Sequence, residues 1–66
     1  MDMTLNGQAR PLAAPTTVAA LLDGLQLDTR KVAVERNEAI VPRSLYAETW
    51  IEGGDRLEIV HFIGGG

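Results

Sequence analysis

The run EIVHFIGGG at 58–66 places a strand pattern directly before three consecutive glycines. Glycine has no Cβ and loses the most freedom on ordering, so three in a row add nothing to a packed core. What they provide is reach and thinness. Three extended residues span about 10 Å at ~3.3 Å each, and a chain without side chains can thread a channel too narrow for any other. At the end of that chain lies the carboxylate of Gly66. With a pKa of roughly 3.3–3.7 it is ionised at neutral pH. An anion is a poor electrophile, so chemistry at this carbon needs prior activation, most simply as an acyl-adenylate. The run therefore reads as a tail presented inside another protein's active site. The alternative is an ordinary chain terminus.

No other residues in the chain make a comparable chemical constellation. His61 stands on the core-facing parity of the last strand, with no nucleophile or carboxylate placed by spacing to work with it, and it reads as structural. Asp55, Glu35 and Glu58 read as solvated surface charges. The seven glycines include neither GxGxxG nor GxxxxGK[ST], so no phosphate cradle is indicated. There is no cysteine, which excludes disulfides and a Cys-based zinc site, and a single histidine has no second to share a metal with.

Nine acids against six bases give a net charge of −3. That balance argues against nucleic acid, which calls for a basic face, and against an anionic membrane surface. No apolar run approaches the ~20 residues of a membrane-spanning helix, and MDMTLNG has neither the basic start nor the apolar core of a signal peptide. The expectation is a soluble cytoplasmic domain. A chain of 66 residues makes one domain, and one of this size buries only about 60% of its unfolded surface.

The elements that must position the tail follow from the patterns. Met1, Met3 and Leu5 alternate with Asp2 and Thr4, and Asn6-Gly7 is a two-residue hairpin signal. Such a turn pairs Leu5 with Gln8, Met3 with Arg10 and Met1 with Leu12. Pro11 lacks an N–H, so the second strand belongs at a sheet edge. Thr16 or Thr17 caps a short helix whose Val18, Leu21, Leu22 and Leu25 fall at i, i+3, i+4 and i+7. Gly24 lies within this helix or near its end.

Val32 and Val34 share one face of a strand, Asn37-Glu38 suits a turn, and 39–41 is a short extension stopped by Pro42. RSLYAETWI is ambiguous; a helical turn there would place Leu45 and Tyr46 inward before Trp50 and Ile51 pack. Gly53-Gly54-Asp55 is a turn, and RLEIVHFI is the last strand. There Leu57 and Ile59 face the helix, which sends Val60 and Phe62 to the uncovered face. An apolar pair beside a free tail marks a partner site, against the alternative of ordinary exposed side chains.

One helix cannot cover both faces of a sheet. The expected fold is a two-layer α+β design with the first and last strands side by side at the centre, a ubiquitin-like β-grasp with a mixed sheet and one main helix across one face. Residues 1–63 form that domain, and 64–66 a flexible glycine tail.

VERN at 34–37, IVPR at 40–43, the GGD turn at 53–55 and EIVHFIGGG at 58–66 resemble the ThiS family of thiamin-biosynthesis sulfur carriers, over essentially the whole chain. A Gly-Gly end alone is common to all ubiquitin-like carriers; its combination with VERN, IVPR and small size is specific. The resemblance implies a carrier and not an enzyme. In the family an adenylating partner, ThiF, uses ATP and Mg²⁺ to convert the terminal glycine carboxylate to an acyl-adenylate. Sulfur relayed from a cysteine desulfurase then gives a thiocarboxylate, and thiazole synthase, ThiG, receives it.

On these positions Gly66 carries the sulfur, Gly64 and Gly65 thread the tail into the partners, and Glu58, Val60 and Phe62 are candidates for docking. No cofactor is expected on the chain itself. Two alternatives stand beside this one. The small subunit of molybdopterin synthase shares fold and tail but is usually longer, often with prolines before the final glycines. A non-catalytic β-grasp binding module with an incidental tail is the other.

Overall fold

The computed structural model of the chain describes residues 2–62. Strand β1 (Asp2–Leu5) turns through Asn6 and Gly7 into β2 (Gln8–Pro11). Both turn residues have positive φ, 50° and 83°, as a type I′ hairpin requires. The register is the one expected, Leu5 opposite Gln8 and Met3 opposite Arg10. The expected pairing of Met1 lies outside the described residues.

A two-residue strand β3 (Thr16–Thr17) leads into α1 (Val18–Gly24), whose N-cap is Thr17. Its hydroxyl oxygen accepts from the Ala20 N–H at 3.1 Å. The two amides before that are also satisfied: Val18 N–H donates to the Thr49 carbonyl and Ala19 N–H to the Tyr46 carbonyl, each at 2.9 Å. The first three free amides of the helix are thereby paired, two of them by the segment whose sequence was ambiguous. Gly24 is the last helical residue, but it is Gln26, at φ 60°, that turns the chain out of the helix. Leu27 N–H reaches back to the Leu22 carbonyl and Gln26 N–H to that of Asp23, each at 2.9 Å, the paired bonds of a Schellman ending.

After a 3₁₀ turn at Thr29–Lys31 come β4 (Val32–Arg36) and β5 (Ala39–Val41). They are joined by Asn37 and Glu38, both at positive φ. Arg43–Leu45 is another 3₁₀ turn, β6 (Trp50–Ile51) pairs with β3, and β7 (Arg56–His61) closes the described chain. The main sheet runs β2-β1-β7-β4-β5. Its β1–β7 pair is parallel and the others antiparallel. β2, with Pro11, is at the edge as its missing N–H demands. The helix packs Val18 and Leu22 onto Met3, Val32, Val34 and Leu57, all at most 1% exposed.

Three expectations about side chains facing the core differ from what is found. Leu45 points outward, 43% exposed, while Tyr46 is buried. A 3₁₀ turn rotates about 120° per residue, so neighbouring side chains cannot both face the core. Trp50 is likewise exposed at 57%, because β6 alternates and Ile51 takes the inward position. His61 has inward parity but is exposed: burial fades along β7 from Leu57 through Ile59 to His61. The helix of seven residues is about 10 Å long and cannot cover a six-residue strand of about 20 Å.

Candidate functional site

The site is the end of β7 and what holds it. β7 is the central strand, yet its pairing with β1 extends only over Thr4–Arg56 and Leu5–Leu57. Beyond that point Asn6 takes over. Its N–H donates to the Leu57 carbonyl at 2.9 Å. Its side chain then acts as a substitute residue of strand: Ile59 N–H donates to Oδ1 at 2.8 Å, and Nδ2 donates to the Ile59 carbonyl at 3.4 Å. On the other side the ladder with β4 runs to Val32–His61, and Phe62 N–H still reaches the Lys31 carbonyl at 2.9 Å. The backbone leading to the glycines is thus held on both sides as far as Ile59 and on one side as far as Phe62.

The start of β7 is fixed by a second asparagine and a buried acid. Asn37 N–H donates to the Arg56 carbonyl at 2.8 Å, and Arg56 N–H donates to Asn37 Oδ1 at 2.9 Å. Asp55, read from sequence as a solvated charge, is 6% exposed. Its carboxylate accepts from Arg36 Nε at 2.7 Å, the Glu52 N–H at 2.8 Å and Asn37 Nδ2 at 3.1 Å. Burial alone would raise its pKa, but the Glu52 amide and the Arg36 and Asn37 donors outweigh that and hold it below the ordinary carboxylate value. A GGD turn looks solvated in a linear reading. Arg36, placed by β4 nineteen positions away, makes it one half of a partly buried ion pair.

Of the sequence-derived candidates, Glu58 and Val60 lie together on the helix-free face of the sheet, and Phe62 continues their parity. Val60 is 57% and Phe62 51% exposed. Gly64, Gly65 and Gly66 lie outside the described residues. Glu35 and Glu58 face each other directly across β4 and β7. Sequence reasoning missed Asn6 and Asn37 as anchors; the only signal was that asparagine, with an amide that can donate and accept, occupies the first position of both turns. Among the described residues no three His, Asp or Glu side chains gather to hold a metal. No helix among them is long and apolar enough to cross a membrane.

A mixed sheet with a parallel β1–β7 pair at its heart and one helix across one face defines the ubiquitin-like β-grasp class. The ThiS family model matches residues 3–66, so the chain belongs to the ThiS family of sulfur carriers. The sulfur carrier protein ThiS of Escherichia coli is 38% identical, with both chains covered in full. The crystal structure of ThiS from Geobacter metallireducens superposes with a TM-score of 0.86 at 30% identity, again over all of both chains. A thiazole synthase of Paramagnetospirillum magneticum is 56% identical across the chain, which spans only 20% of that protein's length.

Proposed function

We propose that the chain carries sulfur for thiazole formation in thiamin biosynthesis as a thiocarboxylate on Gly66. The reaction begins with attack of the Gly66 carboxylate on ATP, catalysed with Mg²⁺ by an adenylating partner, ThiF. Pyrophosphate leaves and an acyl-adenylate forms. Sulfur relayed from a cysteine desulfurase as a persulfide displaces AMP to give an acyl persulfide; a thiol then cleaves the S–S bond, leaving as a disulfide, and the thiocarboxylate so released is delivered to thiazole synthase, ThiG. In this scheme the chain is a co-substrate and contributes no catalytic group. Gly64 and Gly65 let the tail pass into each partner, and Glu58, Val60 and Phe62 dock.

The observation that carries the reading is the family match, which runs through β7 and the glycine run to residue 66. Relatives that are thiazole synthases and contain a segment like this chain favour that enzyme as the recipient. β7 suits the role physically. Anchored at Asn6, Asn37 and Lys31, it gives the glycines a fixed starting point, so the entropy of placing the terminus falls on a few residues.

Intact mass spectrometry after incubation with ThiF, ATP, Mg²⁺, a cysteine desulfurase, cysteine and a thiol reductant tests this. A mass gain equal to exchange of one oxygen for sulfur, absent when Gly66 is deleted, is the expected result. An unchanged mass, with ThiF shown active on another carrier, would overturn it.

A further inference from the structure

The helix-free face of the sheet carries an arrangement that folding alone does not explain. Glu35 and Glu58 are direct cross-strand partners. The bonds Phe62 N–H to Lys31 O and Asn37 N–H to Arg56 O bracket the ladder and make this a hydrogen-bonded pair. Like charges in that position destabilise a sheet. Neither carboxylate has a hydrogen bond or ion pair among the described residues. Arg56, two residues along the same face of β7, gives its guanidinium to Glu38 at 3.3 Å. Lys31, the last residue of the 3₁₀ turn before β4, lies four residues from Glu35.

The apolar groups around the pair are not scattered. Ile40, directly opposite Glu35 on β5, is 66% exposed, and Val60 and Phe62 are exposed on the tail side. Among the described residues, three of the five exposed large hydrophobics therefore lie on this one face, grouped about two unpartnered acids. Such a patch, apolar with a concentrated charge of one sign, fits a surface of complementary charge.

We infer that this face docks onto partner proteins that present an arginine between apolar side chains, its guanidinium bridging Glu35 and Glu58 while the flanking groups cover Ile40, Val60 and Phe62. Arginine suits the site better than lysine. Its planar fork offers five donors, enough to serve two carboxylates at once, and it is less strongly hydrated. The face adjoins the strand that leads to the glycines, so docking there places the tail at the partner's active site. This rests on the carrier reading and adds to it Glu35, Ile40 and the charge the partner must bring.

The test is binding of the whole chain to purified ThiF and to purified ThiG by calorimetry over a salt series, comparing wild type with the Glu35→Gln/Glu58→Gln double variant. The variant is expected to bind about tenfold more weakly at low salt, with a flatter salt dependence. Freed of its like-charge opposition, it is also expected to melt a few degrees higher.

Equal affinity of variant and wild type, or a lower melting temperature in the variant, overturns the inference. If the wild-type chain is thiocarboxylated normally in that case, the carrier reading stands alone. Salt-sensitive, glutamate-dependent binding without thiocarboxylate formation supports the docking face and removes the carrier reading. Binding to neither enzyme removes both.

Discussion

Replacing Asp55 by asparagine tests the least expected feature of the fold, the buried acid at the foot of β7. The carboxylate accepts from Arg36, Asn37 and the Glu52 amide, and the variant turns a charged acceptor into a neutral amide facing a guanidinium. Removing one member of a fully buried ion pair costs about 3–5 kcal/mol. Here the cost is smaller: the Arg36 side chain is 30% exposed and has Glu52 at 3.6 Å as a second partner, so water and that carboxylate take up part of its charge.

The expected loss is about 2 kcal/mol, from hydrogen bonds to a charged group worth ~1.5–3 kcal/mol each that do not add. For a domain of this size that is a fall in Tm of about 8–16 °C. The sign of the pH dependence is fixed by the lowered pKa of Asp55. The carboxylate's contribution is complete above the unfolded-state value of about 3.9 and is lost as pH falls through the folded-state value. Thermal melts followed by circular dichroism at pH 7 and in steps down to pH 2 should show a gap between wild type and variant that closes only at the acid end. A gap under about 0.5 kcal/mol at pH 7, typical of a surface substitution, or one that stays constant to pH 2, would refute the reasoning.

Other perturbations separate local from tertiary contributions. Asn6→Gly keeps the positive φ of the turn but removes both side-chain bonds to Ile59; stability should fall by about 1 kcal/mol, and the Ile59 amide should exchange with deuterium markedly faster by NMR. Gln26→Gly relieves a left-handed residue at the helix end and should stabilise the chain by about 0.5–1 kcal/mol in urea titration. Leu22→Ala, at a position with no exposure, should cost about 2–5 kcal/mol, enough to leave much of a marginal domain unfolded at 37 °C by circular dichroism. Tyr46→Phe loses only a 3.4 Å contact to the Val32 carbonyl and should change stability by less than about 1 kcal/mol in the same assay.

Much of this architecture is legible in the chain because it is encoded by neighbours in sequence. The Asn6-Gly7 turn sets the β1–β2 register through backbone geometry alone, Thr17 caps the helix three residues ahead of the amide it serves, and the 3.6-residue spacing of Val18 and Leu22 chooses the buried stripe. Strand parity similarly sends Val60 and Phe62 to the open face, since alternation follows from the pleat. The glycine run stands out on composition, because no packing argument accounts for it.

What the linear pattern lacks is any knowledge of which distant groups meet. Asp55 in a Gly-Gly-Asp turn looks like a solvated charge until β4 brings Arg36 and Asn37 to it. His61 has the parity of a core residue, and only the length of a seven-residue helix leaves it in water. Asn6 is explained twice over: by the turn, from sequence, and by its bonds to Ile59, 53 positions away, from the fold. The pairing of Glu35 with Glu58 likewise exists only once β4 and β7 are in register. Local periodicity and turn chemistry determined the elements and their faces, because those depend on a few adjacent dihedral angles. The anchoring of the last strand and the charge on its open face were decided by tertiary structure, because each depends on long-range registers that no local pattern records.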